Sequence, residues 1–92
     1  METWEYCSIR TFPRGATWSR IGLEIVYYAP DGKHRVEDLK LDPELKPSED
    51  NYRIAFGYAL ALLGLQGWEL VTVEGAVAWA VLKRRVAQPP TG

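Results

Sequence analysis

The sequence predicts an α+β fold: an antiparallel sheet of about five strands in the order β-β-β-α-β-β, with one helix packed on one face. Three observations predict it. Segments rich in Trp, Tyr, Ile and Val are separated by Pro- and Gly-bearing turns. One segment of helix length, behind a hydroxyl cap and acids, carries no charge between Ile54 and Leu65. Two further strand-like segments follow it, which suits a helix laid across a sheet.

Trp4 to Arg10 reads as the first strand, stopped by a loop at Phe12-Pro13-Arg14-Gly15. Trp18 to Tyr28 reads as the second. Ile21, Leu23, Ile25 and Tyr27 fall on one side at period two, and Arg20, Gly22, Glu24 and Val26 on the other. Pro30-Asp31-Gly32 is a turn signal, because Pro presets one dihedral and Gly accepts a positive φ. His34 to Leu41 returns as a third strand, expected at an edge because its alternation is poor and its charges blunt strand addition. Pro43 and Pro47 make residues 42–47 a connector. Ser48 ahead of Glu49 and Asp50 starts a helix that runs to Leu65, with Gly64 or Gly67 as its exit. Trp68 to Glu74 and Val77 to Val86 are the last strands, joined through a tight turn at Glu74-Gly75-Ala76. Residues 1–87 form one domain, and Gln88 to Gly92 a frayed tail without core-forming side chains. Periodicity leaves the order of strands within the sheet open.

The helix is too apolar for one sheet to cover. Ile54, Phe56, Leu60 and Leu63 are placed on one side of its wheel, with Ala55, Tyr58, Ala59, Leu62 and Leu65 on the adjacent side. The polar face of an ordinary surface helix is replaced by Gly57, Ala61 and Gly64. Each internal glycine costs ~1 kcal/mol relative to alanine, and close approach of another backbone would offset that. At 92 residues, folding hides roughly 60–68% of the extended chain's surface, so association adds much to a small core. A homodimer is therefore expected, with Ile54, Gly57, Tyr58, Ala61, Gly64 and Leu65 in the interface.

Composition narrows the other classes. Hydrophobic residues at 47% and charged residues at 25% describe a folded chain rather than a disordered one. Eleven Lys+Arg against twelve Asp+Glu leave no global basic field for duplex nucleic acid. The solitary Cys7 forms no internal disulfide, and with the solitary His34 gives no metal-ligand spacing, so no metal or cofactor is expected. Cys7 reads as a half-buried, inert thiol and His34 as a solvated turn residue, because a nucleophile needs a base or a positive surrounding. Glu37, Asp38, Asp42 and Glu44, interleaved with Lys33, Arg35, Lys40 and Lys46, read as a mixed solvated edge. The first residues carry acid where a secretory signal carries base, and Tyr58 to Leu65 is far shorter than the ~20 residues that span a bilayer. A soluble cytoplasmic protein without catalytic activity is expected.

Four Trp and five Tyr are a high aromatic load for this length. Rings interleaved with bases on a sheet can stack single-stranded nucleic acid or a planar small molecule. Trp4, Tyr6, Trp18, Trp79 and Arg84 are the candidates for that alternative role. The competing expectation is that the rings fill the core and the subunit contact. Trp68, beside the helix exit, reads as a core anchor.

Trp4-Glu5-Tyr6 at the start, Leu62-Leu63-Gly64-Leu65-Gln66-Gly67-Trp68-Glu69-Leu70-Val71 after the helix, and Ala80-Val81-Leu82-Lys83-Arg84 near the end form an arrangement. It resembles the short bacterial and phage domains of unknown function numbered 4177, over about half of the chain. The resemblance implies a small α+β domain that occurs alone or as a module. It brings no reaction, cofactor or catalytic residue. The leading expectation is a homo-oligomeric accessory or assembly module that acts by protein–protein contact.

Overall fold

The computed structural model describes residues 3–74 and 79–86. Its elements are β1 (Trp4–Arg14), β2 (Arg20–Tyr28), β3 (His34–Asp38), α1 (Glu49–Leu65), β4 (Glu69–Glu74) and β5 (Trp79–Arg85). All neighbouring strands pair antiparallel, in the order β3-β2-β1-β5-β4. The first strand is thus the middle of the sheet, and the short, charged β3 lies at one edge as expected. The predicted turn at Gly75-Ala76, the start of the last strand at Val77 and the tail from Gln88 lie outside the described residues.

Several strand boundaries differ from expectation: β3 ends at Asp38 rather than Leu41, β4 starts at Glu69 rather than Trp68, and two larger differences lie in β1 and at Trp18. β1 continues through Phe12, Pro13 and Arg14, where a loop was predicted. The reason is the register. Among the described residues β5 pairs with β1 as far as Arg10, whereas β2 follows it to Arg14. Beyond Arg10 among the described residues β1 has a single neighbour, and a proline is tolerated on a strand with one open side. Phe12 also gains a site there. Its ring lies over Gly22, where an added Cβ would sit 2.4 Å from the ring edge, between Arg10 and Arg14 at 5.1 and 5.2 Å. The second difference is Trp18, which precedes β2 rather than starting it. It holds a positive φ of 51° in the tip of the β1–β2 hairpin.

The β2–β3 hairpin closes as Pro30-Asp31-Gly32 suggests. The Gly32 N–H donates to the Ala29 carbonyl at 3.1 Å, and the Asp31 carboxylate accepts from the Lys33 N–H at 2.9 Å. Ser48 caps α1 by accepting the Asn51 N–H at 3.1 Å, with Glu49 and Asp50 in the first turn. The exit is a Schellman motif: Trp68 N–H donates to Leu63 C=O, and Gly67 N–H to Gly64 C=O, both at 3.1 Å. Gly67 supplies the left-handed residue at φ +90°. Replacing it by alanine should destabilise the fold by about 1 kcal/mol in urea denaturation, because a Cβ there is strained.

α1 lies across β1 and β2. Cys7, Ile9, Leu23, Ile25, Ala80 and Leu82 from the sheet meet Phe56, Ala59 and Leu63 of the helix, with Trp68 at the helix exit. The alternation of β2 holds: Ile21, Leu23 and Ile25 are buried, and Tyr27 packs against the core.

Candidate functional site

The helix divides cleanly into two faces. Ala55, Phe56, Ala59 and Leu63 are buried against the sheet. Ile54, Tyr58 and Leu65 are 58%, 48% and 86% exposed, and Gly57, Ala61 and Gly64 are exposed between them. This corrects the placing of Ile54 beside Phe56. Residues two apart on an α-helix lie about 200° apart, so Ile54 faces away when Phe56 faces in. It also separates Tyr58 and Leu65 from Ala55 and Ala59. The six expected interface residues form one stripe on the side of α1 opposite the sheet. A Cβ added at Gly57 or Gly64 would meet nothing within 4 Å, so both glycines border open space.

β4 extends the apolar surface. It is the second edge of the sheet and is exposed along its whole length, including Leu70, Val71 and Val73. Its charges, Glu69 and Glu74, stand only at its two ends, whereas β3 carries Arg35, Glu37 and Asp38 among its five residues. These β4 residues are absent from the sequence-based interface. The signal was the run Leu70-Val71-Thr72-Val73, which reads equally well as a buried strand.

The aromatic candidates do not converge. Trp4, Tyr6 and Trp79 sit on the face of the sheet opposite α1, because Tyr6 pairs with Tyr28, and Trp79 with Arg10, on that side. Six residue steps along β1 separate Trp4 from Arg10, the partner of Trp79, roughly 20 Å. Trp18 stands at the far hairpin tip, 71% exposed. Arg84 is on the other face altogether. Its Nε donates to Glu5 at 2.6 Å, its NH1 donates to the Gln66 carbonyl at 3.0 Å, and its guanidinium lies 4.4 Å from the Trp68 ring. It therefore ties β1, β5 and the helix exit together, and supplies the cation that the last turn of α1 lacks. These contacts are packing contacts, on a different face from Trp4, Tyr6 and Trp79.

Trp68 is the core anchor that its position suggested, 6% exposed. Cys7 is buried, and burial first of all pushes its thiol up to about 12, with Arg84 opposing and Glu5 adding to the shift. It is no nucleophile at neutral pH. His34 cannot serve it: β2 separates β1 from β3, and His34 pairs with Tyr28 on the opposite face. Of the acidic residues, Asp38 binds Arg14 at 2.8 Å, Glu37 accepts from the Tyr27 hydroxyl at 3.2 Å, and Asp42 caps the Glu44 N–H at 2.9 Å. No group of three His, Cys, Asp or Glu side chains gathers among the described residues, and no described helix is long and apolar enough to cross a membrane.

A cleft that the sequence did not point to opens at the end of the sheet, about 410 Å3 in volume, between the start of β1 and the β2–β3 turn. Trp4, Tyr27 and Tyr28 supply its rings, and Lys33, His34 and Arg35 its bases. The adjacent tyrosines ahead of Pro30-Asp31-Gly32-Lys33 were its sequence signal. Compared with protein-family models, with curated proteins and with solved structures, the chain matches none.

Proposed function

We propose that the chain is a self-associating module that works by protein–protein contact, with α1 as its seat and a second copy as its partner. One observation carries the reading: Ile54, Tyr58, Ala61 and Leu65 are exposed together at spacings of four, three and four. That is the 3.5-residue period of a helix seam that packs against another helix. Gly57 and Gly64 flank the seam and let a second backbone approach closely. The seam is uncharged, so it asks for no complementary charge on its partner, and a like surface fits it in a two-fold contact.

Magnitudes say what else takes part. Covering Ile54, Tyr58 and Leu65 in two copies yields on the order of 6–12 kcal/mol, at ~1–2 kcal/mol per partly exposed side chain. Association itself costs about 4–15 kcal/mol. The seam alone therefore gives a weak pair. The open β4 edge, with Leu70, Val71 and Val73, supplies the further area. Membership of the 4177 domains is part of this proposal. The Gly67-Trp68-Glu69-Leu70-Val71 segment that carries the likeness joins the helix exit to that edge.

Size exclusion with light scattering tests it. The wild-type chain is expected at twice the mass of one chain at high micromolar concentration. Ala61→Glu is expected at the monomer mass with an unchanged circular dichroism spectrum, since Ala61 is exposed. A monomeric wild type removes the proposal.

A further inference from the structure

We propose that the cleft at the open end of the sheet binds a planar aromatic anion of about mononucleotide size. The site is distinct from the helix seam and stands or falls separately from it.

The cleft exists because the β1–β2 ladder stops short. Its last pair is Tyr6 with Tyr28, while Trp4 and Glu5 run on, paired only with Arg85 and Arg84 of β5. The Val86 N–H donates to the Thr3 carbonyl at 2.9 Å, so Thr3 turns its backbone groups toward β5. Backbone groups alternate along a strand, which turns the N–H and C=O of Trp4 the other way, toward the cleft. The position opposite Trp4 in the β1–β2 register falls to Pro30, which belongs to the turn and has no N–H to offer. One backbone donor and one acceptor thus face a space walled by aromatic rings.

Charge selects the ligand further. Lys33 and His34 have no carboxylate at ion-pair distance among the described residues. The Arg35 guanidinium lies 4.3 Å from the Tyr27 ring, with Glu37 3.8 Å away. Lys83 Nζ lies 4.3 Å from the Trp4 ring and adds a further cation beside the wall. Glu5 also lines the cleft, but its carboxylate is held by Arg84 at 2.6 Å. The balance is positive. A flat ring stacks on Trp4 or the tyrosines, its edge meets the Trp4 peptide, and its anionic group meets Lys33 and Arg35. The volume lies within the roughly 300–1,000 Å3 of small-ligand sites. Two other clefts among the described residues lack this combination. The one beside β3 contains the Arg14–Asp38 pair and no ring, and the hollow over Ser8 contains the Arg10–Glu24 pair.

The test is a titration with adenosine monophosphate at low salt, read by tryptophan fluorescence and by amide chemical shifts of the unmodified chain. Saturable quenching is expected, with shifts centred on residues 3–5 and 27–35. Trp4→Phe should remove the quenching. The double variant Lys33→Ala/Arg35→Ala should weaken binding about tenfold or more, and unphosphorylated adenosine should bind weaker by a similar factor. The absence of saturable binding overturns the proposal, as do shifts that avoid both segments. An affinity that climbs with each nucleotide added to an oligonucleotide also overturns it, in favour of a strand-binding face. The amide shifts need no variant, so a variant that fails to fold leaves the test intact.

Discussion

Raising the pH from 9 to 12 should remove about 4 kcal/mol of folding stability through Cys7 alone. The side chain is fully buried between β1's neighbours, opposite Tyr27 and Leu82. Burial disfavours the thiolate and pushes the thiol from an ordinary value of 9.0 up to about 12. Below pH 9 the folded and unfolded chains both hold the proton, and the fold keeps its full stability. Between 9 and about 12 only the unfolded chain releases it, so stability falls by about 1.4 kcal/mol per pH unit. Tyr27 acts in the same direction, because burial and then Glu37 raise its hydroxyl. The two are separated by comparing urea midpoints across this range in the wild type and in Cys7→Ala. The variant loses on the order of 1 kcal/mol at pH 7 to the missing sulfur, but should show a shallower alkaline slope. Equal slopes in the two chains would show that the thiol does not contribute.

Trp68→Ala should cost about 3–5 kcal/mol, the range of a large aromatic truncated in a core. For a domain of this size that is a large share of a total of roughly 5–15 kcal/mol. Three contacts go at once: the core packing with Leu63 across the helix exit, the Tyr27 ring at 5.9 Å, and the Arg84 guanidinium at 4.4 Å. Trp68→Phe separates ring packing from the polar handle. The indole Nε1 is buried and has no hydrogen-bond partner among the described residues, so phenylalanine loses area but also removes an unsatisfied donor. Its expected cost is about 1 kcal/mol. Urea denaturation followed by circular dichroism measures both. A phenylalanine variant as unstable as the alanine one would show that the indole nitrogen is satisfied after all.

The parts of the fold that local chemistry decides were legible. α1 runs from Glu49 to Leu65 as read, because Ser48 and the acids mark one end and a glycine that accepts positive φ marks the other. β2 was legible from its alternation. What escaped depends on neighbours distant in sequence. Pro13 punctuates a loop when read locally, and sits in a strand because β2 runs alongside it, with Ile21 opposite. The order β3-β2-β1-β5-β4 leaves no trace in any single segment. Arg84 was readable in part, since alternation sets it with Leu82 and opposite Trp79. What could not be read was that Glu5 and the helix exit would both reach it. The cleft is of the same kind: Trp4 and Tyr28 border one space because one ladder ends before its neighbour does.

The placing of β1 at the middle of the sheet has a consequence for how the chain reaches this state. Glu5 and Arg84 stand 79 positions apart and yet form an ion pair across adjacent strands. During translation β1 leaves the ribosome before the other strands, zips to β2 within a short loop, and then keeps its other flank unsatisfied until Trp79–Arg85 has emerged. Closing so wide a separation is entropically slow, which places this topology toward the sluggish end of small-domain folding. Until β5 docks, the nascent sheet has a long sticky margin beside its own future centre. Of the five strands of this sheet, β5 is made after the others and is the one that seals β1.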